Sequence, residues 1–312
     1  MALPTYADPL ERLWHRTYQV ICALVFLFLI APILIVIPLS FNVEPYFSFT
    51  EKMVRLDPEG YSLRWYDTLL TFGMQAPDVP RDGGWFADMW ANATWVQAAK
   101  NSLIIGFWAT IFATVLGTLA ALGLSRPEMP YRRAIMAILI SPMIVPIIII
   151  ATGMFFFYSN PCGIIGIECG RLTSTYLGVI LAHTILGIPF VIITVTATLS
   201  GFDQSLIRAA QSLGASPRTV FFKVVMPLIL PGVISGALFA FVTSFDEVVA
   251  VLFIAGPEQQ TIPRQMWNGI REQISPAILA VATILVLISI ALLTTVELLR
   301  RRSERLRGVS PG

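Results

Sequence analysis

With 312 residues, 56% of them hydrophobic and only 13% charged, the chain lacks the polar surface that a soluble globule of its size needs. Its mean hydropathy of +0.74 belongs to a polytopic membrane protein. Membrane lipid is the expected surrounding and no nucleic-acid partner is expected; the formal net charge of +2 says nothing more about partners.

Residues 1–17 carry Arg12 and Arg16 and read as a short cytoplasmic segment. The first apolar window, 18–41, is longer than the apolar region of a secretory signal and is expected to remain as an uncleaved span. Residues 42–95 form the longest stretch outside the membrane. They are predicted to make short helices on the outer surface, where Trp65-Tyr66 and Trp85-Phe86 suit the interface; contact with a partner protein is the second reading. Further apolar windows follow at 96–124, 134–158, 174–199, 228–255 and 276–299, a five-helix core over 96–299. All six windows reach the roughly 17 to 25 apolar residues that a crossing requires. Hydrocarbon offers free backbone groups no partner, so the fold class is all-α with six transmembrane helices. Residues 300–312 form a basic tail, in which Arg300-Arg301-Arg302 reads as a stop-transfer anchor.

Orientation follows from the Lys and Arg residues, which bias insertion toward the cytoplasm. Thirteen of the twenty-one fall in one set of segments: Arg12 and Arg16; Arg126, Arg132 and Arg133; Arg208, Arg218 and Lys223; Arg300, Arg301, Arg302, Arg305 and Arg307. Both termini and the segment 201–226 are therefore expected on the cytoplasmic side.

Cys162 and Cys169 lie in a short Gly-rich loop predicted to face outside, where an oxidising compartment would permit a disulfide between them. Cys22, within the first span, reads as packing. The only histidines are His15 and His183, too few for a metal site. Lys52, Lys100 and Lys223 follow Glu, Ala and Phe, so no Gly-Lys of a phosphate-binding loop exists and this chain is not expected to hydrolyse ATP.

The segment 201–226 is too polar for lipid yet patterned as helix, break and helix. Asp203 can cap the first helix, Gly214 can end it in the left-handed conformation, and Ser216-Pro217 is a cap plus first-turn proline for the next. Leu206, Ala209, Ala210 and Leu213 fall on one side at i, i+3, i+4 and i+7, where small residues admit close approach of a partner. An interfacial helical hairpin is the plainer alternative.

Ala209-Ala210, Gly214, and then Val224-x-Met226-Pro227 resemble the loop of binding-protein-dependent ABC importer permeases. In that family the loop is a coupling helix seated in a cleft of the ATP-hydrolysing subunit. The resemblance would place Arg208, Ala209, Ala210, Ser212, Leu213, Gly214 and Ala215 at that contact. The usual pattern begins Glu-Ala-Ala, whereas this chain has Arg208 at the first position, and Val224 and Met226 replace isoleucine and leucine.

Residues 61–302, with an insertion at about 71–92 set aside, are similar to the second permease of spermidine/putrescine importers. That similarity rests on Tyr61-Ser-Leu-Arg-Trp-Tyr66, Arg208-Ala-Ala-Gln-Ser-Leu-Gly-Ala-Ser216, Gly236-Ala-Leu-Phe-Ala-Phe241, Ser244-Phe-Asp-Glu247 and Ile274-Ser-Pro276. It implies a type I ABC importer permease fold in a bacterial inner membrane. The implied partners are a second homologous permease, two subunits that bind ATP and Mg, and a periplasmic solute-binding protein. No cofactor is implied in this chain, and no catalytic residue. The implied cargo is a polyamine; permeases so labelled also serve opines, amino-acid derivatives or ferric complexes. Gly187, Pro189, Pro227 and Pro231 are candidate flex points or fixed kinks in the fourth and fifth spans.

Within the fifth window stand Asp246 and Glu247, with Phe241 and Phe245 close in sequence. An ionised acid at the bilayer centre costs on the order of 2.5 to 3.5 kcal/mol, so the pair should face a cavity, a partner chain or a cation. Carboxylates beside aromatic faces suit an organic ammonium. Pairing with Arg or backbone groups, locking two permeases together, is the other reading.

Two different classes of function compete with import by an ATP-driven permease. An intramembrane serine protease would use His183 with Ser235, although Gly232-Val-Ile-Ser-Gly236 lacks the spacing of a nucleophile turn and reads as close helix packing. An ion-coupled secondary transporter would use Asp246 and Glu247, but the six windows show no internal repeat.

Overall fold

The computed structural model describes residues 8–126, 128–163, 170–201, 205–272 and 275–306. Fourteen α-helices follow in order among them: α1 (Pro9–Leu39), α2 (Glu51–Val54), α3 (Arg64–Thr71), α4 (Gly83–Asn92), α5 (Thr94–Leu124), α6 (Arg132–Ile144), α7 (Ile147–Ser159), α8 (Tyr176–Ser200), α9 (Ser205–Ser212), α10 (Pro217–Val220), α11 (Met226–Asp246), α12 (Val249–Ile254), α13 (Ile262–Glu272) and α14 (Ala277–Leu306). The only strand-like pairing among the described residues is an isolated bridge between Asn42 and Tyr61. Two compact units divide the chain: Met1–Phe72 with Gly269–Gly312, and Gly73–Asn268.

In the first unit, α1 begins nine residues before the predicted span, because Pro9 suits a first helical turn and the Asp8 N–H donates to the Glu11 carboxylate at 3.3 Å. Its apolar side chains are exposed along nearly the whole helix, Phe28 by 78%, as befits a helix sheathed in lipid. The phrase Tyr61–Tyr66 is a clasp on the segment that leaves this helix. Trp65 Nε1 donates to the Asn42 carbonyl at 2.7 Å, Tyr66 Oη and Ser40 Oγ share a 2.7 Å bond, and Arg64 Nη1 donates to the Val43 carbonyl at 2.8 Å. Asn42 is itself fully buried and donates to the Tyr46 and Ser48 carbonyls, so backbone groups that sheet or helix would otherwise satisfy find side-chain partners.

The second unit is built on α5, α8 and α11. Small residues let these three helices approach closely. A Cβ added to Gly187 of α8 would lie 3.1 Å from Ala240 Cβ of α11 and 3.2 Å from Ala113 Cβ of α5. One added to Gly236 would meet the Val191 backbone at 2.8 Å, and one on Gly117 would meet the Val191 side chain at 2.7 Å. Gly187 is thus a packing contact, and Gly232-x-x-x-Gly236 is the close-approach stripe its spacing implies. The insertion carries α4, whose Asp88 carboxylate accepts from the Gln75 and Ala76 N–H groups and from Asn92 Nδ2.

Two expected spans are not single straight helices. The window 134–158 becomes α6 and α7, bent by 104°. The break falls at Val145, extended at φ −74° and ψ 137°, as the residue before Pro146 prefers. The window 228–255 ends its helix at Asp246 and resumes at Val249. Six crossings were expected; among the described residues, by length and composition, Pro9–Leu39, Thr94–Leu124, Tyr176–Ser200 and Pro217–Asp246 each suffice, and α6 with α7 is long and apolar enough for a fifth when the bent pair is counted as one span. The sixth window, 276–299, lies within the 30-residue α14 (Ala277–Leu306).

Candidate functional site

The segment 205–226 folds as its local signals dictate. Gly214 adopts φ +80°, its N–H donates to the Gln211 carbonyl at 2.9 Å, and the Ala215 N–H reaches back to the Ala210 carbonyl at 3.1 Å. These two bonds form a Schellman cap on α9, which a left-handed residue makes available. Ser216 then caps α10 by accepting from the Thr219 N–H, with Pro217 in the first turn. A π turn at Phe221–Val225 carries α10 into α11; Pro227 has no N–H to return to the preceding turn, and the wider turn absorbs the mismatch. Asp203, the expected cap of α9, lies outside the described residues.

One face of α9 packs inward and one faces out. Ile207, Ala210 and Ala215 pack on the cluster formed by Val191, Val195, Val220, Val225 and Ile229. Leu206, Arg208, Ala209, Ser212, Leu213 and Gly214 are exposed, Leu213 by 89%. The four-residue stripe expected from sequence is therefore corrected: Ala210 belongs to the inner face, and Leu206, Ala209 and Leu213 form an outward apolar ridge that is exposed among the described residues.

The acid pair lies at a helix break, not along one helix. Asp246 is the last residue of α11; Glu247 is extended, at φ −76° and ψ 122°, and its Oε1 accepts from the Ala250 N–H at 2.8 Å, capping α12. Asp246 is exposed and has no hydrogen-bond or ion-pair partner among the described residues. Asp246 closes the carbonyl end of α11, where the helix dipole is also negative. Phe241 and Phe245, one turn apart, stack at 5.7 Å with planes 28° apart. The structure thus separates two carboxylates that the sequence presents as equals.

His183 is fully buried in α8, and its Nδ1 shares a 2.7 Å hydrogen bond with Ser244 Oγ of α11. Its partner is Ser244 and not Ser235, so the His183–Ser235 pair of the protease reading is not formed. Sequence reasoning missed this bond, and also a polar knot at one end of the core. There Asn101 Nδ2 donates to the Glu258 and Gln260 carbonyls, Tyr176 Oη donates to Asn101 Oδ1, and Arg264 Nη1 donates to the Ala255 carbonyl at 2.8 Å. A buried Asn in an apolar helix was the one available signal. Cys162 is disulfide-bonded and Cys22 is free, while Cys169 lies outside the described residues. Among the described residues no group of three His, Cys, Asp or Glu side chains comes together to hold a metal ion.

The family pattern described as binding-protein-dependent transport system inner membrane component matches residues 113–306. The chain belongs to that family. It is a permease subunit of an ABC importer, a multi-pass inner-membrane transport component and not an enzyme. Permeases of this family carry no cofactor of their own, and ATP binding belongs to partner subunits. The spermidine/putrescine transport system permease protein PotC of Haemophilus influenzae is 30% identical over 280 residues, covering 90% of this chain and 95% of its own. The putrescine transport system permease protein PotI of Escherichia coli is 31% identical over 267 residues, covering 85% and 84%. A bacterial ABC transporter involved in the import of the acidic polysaccharide alginate shares the fold, with a TM-score of 0.66 at 15% identity and coverage of 94% of this chain and 99% of that one.

Proposed function

We propose that this permease imports a polyamine, or a related small organic cation, from periplasm to cytoplasm. The observation that carries the cargo assignment is the exposed Asp246 carboxylate at the carbonyl end of α11, without a partner among the described residues, with the Phe241–Phe245 stack in the turn that precedes it. An ammonium group meets opposite charge there, and the rings add cation–π attraction of about 0.5 to 2 kcal/mol. The similarity to polyamine permeases supports the same reading.

In this account a solute-binding protein delivers ligand on the outer side, and a second permease completes the path. Two ATPase subunits dock on the cytoplasmic side, one of them against the ridge of Leu206, Ala209 and Leu213. The excess of Lys and Arg in the segments holding both termini and α9 supports that orientation. Arg208 stands exposed on the same helix.

The test is ATPase activity of the reconstituted complex, with its binding protein, across putrescine, spermidine, other amines, an opine and ferric citrate. Stimulation confined to the amines is the expected result. Stimulation by the opine or by ferric citrate alone overturns the cargo assignment.

A further inference from the structure

We infer that Arg264 is a positioning residue for the translocation path, holding α12 from its far end so that the helix break presents Asp246 to open space. This rests on the reading of Asp246 given above.

The helix α12 has only six residues, too few to persist without outside support. Three things hold it. Ala250, Val251 and Ile254 are each at most 1% exposed, and the last two pack with Ile105, Ala109, Tyr158, Val179, Ile180 and Ala182. At its first turn, Glu247 Oε1 accepts from the Ala250 N–H. At its last turn, Arg264 Nη1 donates to the carbonyls of Val251 at 3.2 Å, Ala255 at 2.8 Å and Gly256 at 3.4 Å. An anion thus sits at the N-terminus and a cation at the C-terminus, each opposite in sign to the helix dipole there.

Arg264 reaches these carbonyls from α13, which begins after a loop anchored to α5. Ser102 Oγ accepts from the Ile262 N–H at 2.9 Å, and the Asn101 amide binds the Glu258 and Gln260 carbonyls. The guanidinium therefore ties α12 to a fixed frame. Only Glu247 and Val248 separate α12 from Asp246, and a helix of six residues is about 9 Å long, so displacement of one end is passed to the other as a rigid body. Arg264 acts on the carboxylate through this helix and not by contact.

The test reads geometry apart from cargo. In the assembled complex, Asp246→Cys is introduced in a Cys22→Ser background, Cys162 being disulfide-bonded, and its modification by a trimethylammonium methanethiosulfonate reagent is timed. Arg264→Met is expected to change the rate at least fivefold, and Arg264→Lys, which retains a cation at the carbonyls, to stay within twofold of the parent. A rate within twofold for Arg264→Met overturns the inference. Should that variant not assemble, Arg264→Gln takes its place under the same criterion.

Ligand uptake supplies the second arm. The losses caused by Arg264→Met and Asp246→Asn should not multiply in the double variant, because both act through one carboxylate. Losses that multiply indicate a general packing defect and overturn the inference. If Asp246→Asn alone leaves uptake intact, the cargo reading falls, while the labelling rates still decide the role of Arg264.

Discussion

Replacing Gly214 tests whether the outward ridge of α9 depends on its left-handed cap. A Cβ built at this position meets nothing within 4 Å, so alanine adds no steric clash. The whole cost is conformational: at φ +80° an L-residue is disfavoured by roughly 1 to 2 kcal/mol. Asparagine tolerates this region better than alanine although it is larger, so backbone strain orders the variants Gly, Asn, Ala, Val. The assay is a titration of purified ATPase subunits onto the permease pair in nanodiscs. If docking requires the capped loop, Gly214→Ala weakens apparent affinity by up to about 5- to 30-fold. Gly214→Asn should weaken it less. A larger loss with Asn than with Ala would mean that side-chain size at the partner surface decides, and would refute the backbone argument.

Three further outcomes follow from the same geometry. Leu213→Ala should weaken ATPase docking by roughly 10- to 150-fold, the equivalent of about 1.5 to 3 kcal/mol for a leucine buried on a partner, with the permease's own thermal unfolding unchanged. Gly187→Ala should destabilise the α5, α8 and α11 core by about 1 to 3 kcal/mol on thermal unfolding in detergent, because its methyl would press on Ala240 and Ala113. Gly153→Ala, in open space on α7, should not. Trp65→Phe removes the donor to the buried Asn42 carbonyl and should cost about 1 to 3 kcal/mol, read as faster proteolysis within 42–62.

The segment 205–226 was legible because its signals are local: Gly214, Ser216 and Pro217 each act within one turn of their own position. The three-helix core was legible as hydropathy, and its close contacts as the spacing of Gly232 and Gly236. The break after Asp246 was not, because Val248 and Val249 continue an apolar run and hydropathy does not register a helix end. What makes that break tolerable is Glu247 capping forward and Arg264 reaching back from another helix, and the second is a tertiary contact that no window contains. The bend at Val145-Pro146 did leave a signal, the proline itself, which the apolar run around it outweighed. Ala210 was placed on the outer ridge because periodicity gives the stripe but not which edge of it the core covers.

The measurement that bears most directly on the account is ATP-driven uptake of radiolabelled putrescine and spermidine into proteoliposomes holding the full importer and its binding protein. Wild type and Asp246→Asn would be compared at matched assembly. The expected result is concentrative uptake that requires ATP, survives collapse of ion gradients, and falls at least tenfold in Asp246→Asn, a loss of about 1.4 kcal/mol of stabilisation along the path. Uptake that follows an ion gradient and not ATP, or undiminished polyamine uptake in the Asn variant, would contradict it.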